Sequence, residues 1–346
     1  MSPTRKSFGS DNHAGAHPAV LRALSQANAG DAVAYGDDPL SQRVAARIAS
    51  LLGAAGGVHF VFNGTAANVL GLSLMLRPHQ AVVCPDGAHI NVDECGAAER
   101  VLGSKLLPVV TANGKLTPEL IAPRLDDRGD SHRAQPRVVA ISQVTEFGTC
   151  YTLAELAALR EFCDANDLLL FIDGARLANA AAALDCELAA LAATADVLTF
   201  GGTKNGAVGA EAVAVMRPGL SADLPYLRKQ QMQLASKMRY LAAQFGALLD
   251  GGLWLSNARH ANQMARRLAD GVTGAPGLGL YQPVESNAVF AVLPPDLITA
   301  LQRDWTFQKW PAGRNVVRWM TAFDTTAGQV DEFAASVRER AGAMAG

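Results

Sequence analysis

Short, continuously apolar runs recur along the chain, and between them apolar positions repeat at helical spacing. VHFVFNG (58–64), QAVVCP (80–85), SKLLPVV (104–110), RVVAIS (137–142), LLLFID (168–173), VLTFGG (197–202) and AEAVAVM (210–216) each read as a buried strand. TAANVLGLSLML, TLAELAALREFCDAND and ELAALAATA read as helices between them. Thr152 and Glu155 make a capping box at the start of the second. Upstream, HPAVLRALSQAN and DPLSQRVAARIASLLG read as amphipathic helices, the latter with Asp38 as N-cap and Pro39 in its first turn. Continuously apolar strands alternating with helices predict an α/β fold, with a mostly parallel seven-stranded sheet covered on both faces.

The pattern changes near residue 220. LRKQQMQLASKMRYLAAQFGALL opens a helical region that is expected to run to about residue 270. NAVFAVLP, WTFQKW and NVVRWMTAF then read as short strands, with a closing helix near 328–342. The expectation is a large domain over 1–250 and a smaller C-terminal α+β domain over 251–346, with an antiparallel sheet. Residues 1–15 are polar and glycine-containing and read as an arm. A chain of 346 residues is long enough for two domains.

A formal net charge of −2 gives no basic face for nucleic acid. Five cysteines, at 84, 95, 150, 163 and 186, include no CxxC pair and no zinc-ligand spacing, so no metal site is expected. Cys84, Cys163 and Cys186 sit in or beside apolar segments and read as buried thiols of a reducing compartment. The N-terminus has no apolar leader core, and no apolar run reaches about 18 residues. The expectation is a cytoplasmic protein with no membrane partner.

Ligands of open α/β sheets gather at the carboxyl ends of the strands. NGTAAN (63–68) follows the first strand and puts Gly64 and Thr65 at a helix N-terminus, either an ordinary capped start or a seat for phosphate. DGAHIN follows the second and carries His89, a turn residue or a group above a flat ring. FIDGAR ends a wholly apolar strand on Asp173, where a carboxylate is costly unless paired. That residue either caps the turn, with Arg176 as its partner, or binds a protonated heterocyclic nitrogen. Gly174 and Ala175 are small, which leaves room for a flat ligand. GGTKNG sets Thr203 and Lys204 among Gly201, Gly202 and Gly206, where an amine can lose hydration and its pKa can fall. Arg318 is the one charge in the apolar strand NVVRWM, a surface residue or a grip for a carboxylate.

Together these supply what pyridoxal phosphate needs: a phosphate cup at Gly64–Thr65, an amine at Lys204, a carboxylate at Asp173, a ring partner at His89, and Arg318 for an amino-acid carboxylate. The glycines would let the flat cofactor lie beside Lys204. FGSDNHAGAHP, YGDDP, NGTAAN, AHINVDECGA, TEFGTCY, FIDGARLANA, TFGGTKNGAVGAEAV, LRKQQMQLASKMR and VVRWMT carry a closer likeness. From about residue 7 to 340 the chain resembles the L-threonine aldolases, most of all their low-specificity and phenylserine-type branch. These are fold type I (aspartate aminotransferase-like) pyridoxal-phosphate enzymes.

The resemblance implies retro-aldol cleavage of L-threonine, L-allo-threonine or related L-β-hydroxy-α-amino acids to glycine and an aldehyde. The alternatives are a β-eliminating lyase or a catalytically silent pyridoxal-phosphate-binding protein. It implies Lys204 as the Schiff-base lysine, Asp173 at the ring nitrogen and His89 on the ring. It implies Gly64, Thr65 and Thr203 at the phosphate. Arg176 would sit near the cofactor hydroxyl and, with Arg318 and Ser10, hold the substrate carboxylate. It also implies a homotetramer, a dimer of dimers, in which Arg239 or else Lys229 crosses to a neighbour's phosphate. Many members carry a histidine in the loop matching QVTEFG. Here Thr145 and Glu146 stand closest to that place.

Overall fold

The computed structural model describes residues 6–310 and 315–345. After a two-residue β1 (Lys6–Ser7), all seven expected strands form: β2 (Val58–Val61), β3 (Gln80–Pro85), β4 (Lys105–Val109), β5 (Gln135–Ser142), β6 (Leu169–Asp173), β7 (Val197–Gly201) and β8 (Glu211–Val215). Every residue of β6, β7 and β8 is buried, as strands covered on both faces require. The sheet runs β2-β8-β7-β6-β5-β3-β4. All neighbours are parallel except β8, which is antiparallel to both β2 and β7. From β3 the chain moves outward to β4, and from β5 it moves the other way through β6 to β7. The reversal lies between β3 and β5, where α/β sheets open a crevice at their carboxyl ends.

Helix starts are fixed by the expected caps. Asp38 Oδ1 accepts the Ser41 N–H at 2.8 Å, with Pro39 behind it. Thr152 and Glu155 exchange side-chain and backbone hydrogen bonds at 3.2 and 2.7 Å. Each such cap is worth about 1 kcal/mol.

The second sheet is antiparallel, in the order β12-β13-β10-β9. Its strands are β9 (Gly279–Leu280), β10 (Ala288–Val292), β12 (Gln308–Lys309) and β13 (Val316–Met320). WTFQKW is not one strand. Its first half is β11 (Trp305–Thr306), which pairs parallel to β1, and its second half is β12. The N-terminal segment is therefore no loose arm over the described residues. Phe8 N–H donates to Thr306 O, Met320 N–H donates to Phe8 O, and the Phe8 ring stacks 4.7 Å from Phe333 within the second core.

The expected long helical region is divided. Leu224–Gln230, Arg239–Leu249 and Leu253–Val272 are helices, with an irregular stretch between the first two. Met232 there has φ +62°, and the glutamines around it reach across the molecule. Gln231 Nε2 donates to Ser73 Oγ, and Gln233 Oε1 accepts the Phe62 N–H. The second break is at Gly251 and Gly252, both with positive φ.

All five cysteines are free. Cys84 and Cys163 are buried as expected, Cys150 is buried too, and Cys186 is only half-buried, just past the C-cap of the Leu177–Leu184 helix. Among the described residues no helix is long and apolar enough to cross a membrane.

Candidate active site

The carboxyl ends of β3, β5, β6 and β7, with the Gly64–Ser73 helix, converge on one crevice. Asp173, the last residue of β6, is buried. Its Oδ1 caps the next turn by accepting the Ala175 N–H at 2.9 Å, and its Oδ2 accepts from Asn68 Nδ2 at 2.7 Å. Lys204 stands half-buried in the 3₁₀ turn after β7. Loss of hydration lowers its amine below the usual lysine range, and the Arg176 charge lowers it further, against Asp11, Asp173 and Glu211. At the start of the Gly64–Ser73 helix, Asn63 Oδ1 satisfies the Ala66 N–H. No acceptor among the described residues meets the N–H groups of Gly64 and Thr65, and a Cβ at Gly64 would meet open space. These free donors at a positive helix end suit an anion.

His89 opens the short helix after β3. Its backbone N–H donates to Glu146 Oε1 at 2.8 Å, and its Nδ1 meets Glu94 Oε1 at 2.8 Å. The bond to Glu94 raises the imidazole above its ordinary value, against burial. Of the two residues nearest the family's loop histidine, Thr145 is buried and bonded to Thr149 at 2.7 Å. Glu146 faces His89 instead, and Ser142 Oγ donates to the same oxygen at 2.6 Å. Burial pushes the Glu146 carboxyl up.

Two guanidinium groups share the other side. Arg176 is not the partner of Asp173. Its Nε and Nη2 donate to the two oxygens of Asp11, at 2.7 and 3.0 Å. Asn287 Nδ2 donates to Asp11 as well, at 3.1 Å. Burial works against ionising Asp11, but Arg176, Lys204 and Asn287 outweigh it and hold the carboxyl down at about 2. Arg318, in the middle of β13, donates from Nη2 to two neutral oxygens, Gly9 O at 3.3 Å and Gln308 Oε1 at 3.0 Å. Its Nε is buried without a partner, and its plane lies 5.5 Å from the Trp310 ring. Burial and the nearby Arg176 both depress it. A cation with an idle donor beside a second cation suits a carboxylate. Ser10 stands half-buried next to this pair, its Oγ accepting the Asn12 N–H at 3.1 Å.

The glycines serve a different purpose from the one expected. A Cβ on Gly174 would lie 1.9 Å from Thr199 O, and one on Gly201 would lie 2.6 Å from Ala175 O. On Gly202 it would lie 2.8 Å from Ala210 O. These residues let backbone approach backbone, not a ligand. Thr203 is likewise engaged by protein. Its N–H donates to Glu211 Oε1 at 3.4 Å, and its Oγ accepts the Ala210 N–H while also hydrogen-bonding the Glu211 carboxyl.

Asn68, Glu94, Asp11, Asn287 and Glu211 carry no assignment from the sequence. Glu211 had a readable signal: it opens an otherwise apolar strand, the same anomaly that marked Asp173. Burial lifts its carboxyl to about 7, against Thr203 and Lys204.

Arg239 and Lys229 are each engaged by their own chain. Arg239 Nη1 donates to Gly30 O at 3.2 Å, and Lys229 sits 5.2 Å over the Tyr35 ring. A separate groove of about 730 Å³ lies at the amino ends of β3, β5 and β6. Its Arg137 is paired with Asp167 at 2.8 Å.

A crevice at a sheet's switch point, with a depressed amine, a buried carboxylate and an arginine pair, defines an enzyme site for an anionic ligand. The chain belongs to the family described as beta-eliminating lyase, whose model matches residues 7–294. It is 43% identical over 342 residues to the low specificity L-threonine aldolase of Pseudomonas aeruginosa, covering 98% of this chain and 99% of that one. Identity to the low specificity L-threonine aldolase of a second Pseudomonas strain is 42%, again over 98% of this chain and 99% of that one. The solved structure of Leishmania major threonine aldolase superposes with a TM-score of 0.91 at 32% identity, over 97% of this chain and 99% of that one. The architecture is that of fold type I enzymes, a mostly parallel seven-stranded sheet followed by a small antiparallel one.

Proposed function

We propose that the protein is a pyridoxal-phosphate-dependent aldehyde-lyase. It would cleave L-threonine, L-allo-threonine or a related L-β-hydroxy-α-amino acid such as phenylserine to glycine and an aldehyde. The observation that carries this is a desolvated Lys204 amine within electrostatic reach of Asp173 and Arg176 at the carboxyl ends of β6 and β7, with Arg318 of the second sheet close to Arg176. Near-full-length likeness to the Pseudomonas aldolases supports it.

Gly64 and Thr65 would hold the phosphate with free N–H groups, Lys204 would take the aldehyde, and Asp173 would face the ring nitrogen. Bound there, the cofactor supplies an aldehyde for amines and a ring that draws electrons from Cα. The chain's own residues do the rest. Arg318 grips the substrate carboxylate, with Ser10 beside it and Arg176 adding positive field from its place on Asp11. This grip turns the Cα–Cβ bond, an orientation effect worth several kcal/mol of barrier. Thr203 steadies the turn that bears Lys204. His89, with Nδ1 on Glu94, accepts the β-hydroxyl proton at Nε2. The Cα–Cβ bond then breaks, the aldehyde leaves, and a proton delivered to Cα completes glycine.

The assembly is proposed as a homotetramer. Tyr35, Phe62, Val208 and Met232 are exposed apolar residues beside the phosphate seat. The segment that bears Met232 is tied to two of them, through Phe62 N–H to Gln233 Oε1 and Tyr35 N–H to Ser236 O. A second copy of the chain would cover them and bring Arg239, or Lys229, to the neighbour's phosphate. Free cysteines support a cytoplasmic location.

Incubation with pyridoxal phosphate and L-threonine, L-allo-threonine or L-phenylserine should yield glycine and the matching aldehyde in equal amounts. Ammonia and a 2-oxo acid in their place would show elimination and overturn the reading.

A further inference from the structure

Two buried side chains stand between His89 and Asp173. Asn68 is 2% exposed and Glu94 is 5% exposed. The Asn68 amide nitrogen carries two hydrogens, and both are used: one on Asp173 Oδ2 at 2.7 Å, the other on Glu94 Oε1 at 2.8 Å. The same Glu94 oxygen meets His89 Nδ1. An ionised carboxylate only accepts, so Nδ1 carries the ring proton and Nε2 is left for the crevice. The chain from His89 through Glu94 and Asn68 to Asp173 is continuous. It links the segment after β3, the Gly64–Ser73 helix and the end of β6.

We propose that Glu94 and Asn68 are positioning residues that fix the His89 tautomer and tie the charge of His89 to that of Asp173. This rests on the roles given above to His89 and Asp173. The argument is one of charge. The Glu94 side chain has no exposed surface, and its Oε2 is buried without a donor. An ionised carboxyl in such a place needs a compensating cation. Among the described residues, His89 is the group hydrogen-bonded to it that can become one. A purely structural bond to Asp173 would need only a neutral donor, yet here the donor is shared with a second, ionisable carboxyl. The charged groups that face His89 are Glu94, Asp173 and Lys204, with Glu146 at its backbone N–H.

The test is NMR titration of the His89 imidazole in the full-length protein, with and without pyridoxal phosphate, assigned through His89→Asn. Glu94→Gln removes the charge and should lower the His89 pKa by about one unit. Asn68→Ala leaves Glu94 Oε1 to His89 alone and should raise it. Glu94→Asp keeps the charge and should restore most of the wild-type value. The acid limb of kcat/KM for glycine formation should move in the same direction in each variant. If Glu94→Gln does not fold, Asn68→Ala and Glu94→Asp carry the test. An unmoved His89 titration in the folded variants would overturn the proposal even in an active aldolase. Shifts of the expected sign in a protein that makes no glycine would uphold the coupling and sink the functional reading alone.

Discussion

Replacing Asp11 by asparagine keeps the side chain's shape and removes its charge from a pocket where both oxygens are occupied. Arg176 is held at 2.7 and 3.0 Å and has only 14% of its side chain exposed. The carboxyl sits at about 2 in the fold, against an ordinary 3.8. That difference corresponds to roughly 2 kcal/mol of preference for the ionised form. Breaking a buried pair by removing one partner costs about 3–5 kcal/mol, because the other charge is stranded. Substrate access to the crevice lets water reach Arg176, so we expect a loss of about 3 kcal/mol for Asp11→Asn. Urea unfolding of the full-length protein at neutral pH should show a lower midpoint with an unchanged slope. The sign of the pH effect follows from the lowered pKa. Asp11's contribution is full above its unfolded value near 3.8 and is lost as pH falls through about 2. The gap between wild type and variant should therefore narrow on acidification and never widen. A variant within about 0.5 kcal/mol of wild type would refute the pair's role, since that is the scatter of neutral surface changes.

Lys204→Ala should abolish glycine formation, and borohydride reduction of the wild type with pyridoxal phosphate should label Lys204, as peptide mapping can check. Arg318→Ala should raise the KM for amino acids roughly 10- to 100-fold, the worth of a lost charge-assisted bond, with cofactor affinity nearly unchanged. Equal loss of both affinities would move Arg318 out of the carboxylate site. Arg239→Ala should loosen pyridoxal phosphate although its own chain places it on Gly30 O, and sedimentation of an active, cofactor-bound monomer would remove the shared site. Glu211 sits at about 7 in the fold against 4.5 outside it, so its contribution to stability is full below about 4.5 and is lost as pH rises through about 7. Thermal melts of Glu211→Gln should be flatter than wild type across that window.

The large sheet could be read from the chain because a strand covered on both faces must be apolar at every position, and that leaves an unmistakable run. Its ends could be read for the same reason: Asp173 breaks such a run with a charge. The 231–238 segment could not be read. Its residues have helical spacing, and what unwinds it are bonds to Ser73 and Phe62, 158 and 171 positions away. Local pattern holds no trace of partners at that distance. Asn68, Glu94 and Asp11 were invisible for a related reason. Each lies in an ordinary polar stretch and gains its meaning from an atom brought to it by packing.

The glycines teach the complementary point. Their clustering around Lys204 signals close approach, and close approach is what the fold contains. What a sequence cannot say is which body approaches. Gly174 and Gly201 face each other across β6 and β7, and Gly201 N–H donates to Gly174 O at 3.1 Å. A methyl group on Gly174 would drive into Thr199 O of β7 at 1.9 Å, and one on Gly201 into Ala175 O at 2.6 Å. The two turns that bear Asp173 and Lys204 are thereby locked together. The backbone must first pack tightly enough to fix the carboxylate and the amine relative to each other before a ligand can be held between them. Open space for a ligand is found instead at Gly64, where an added Cβ meets nothing.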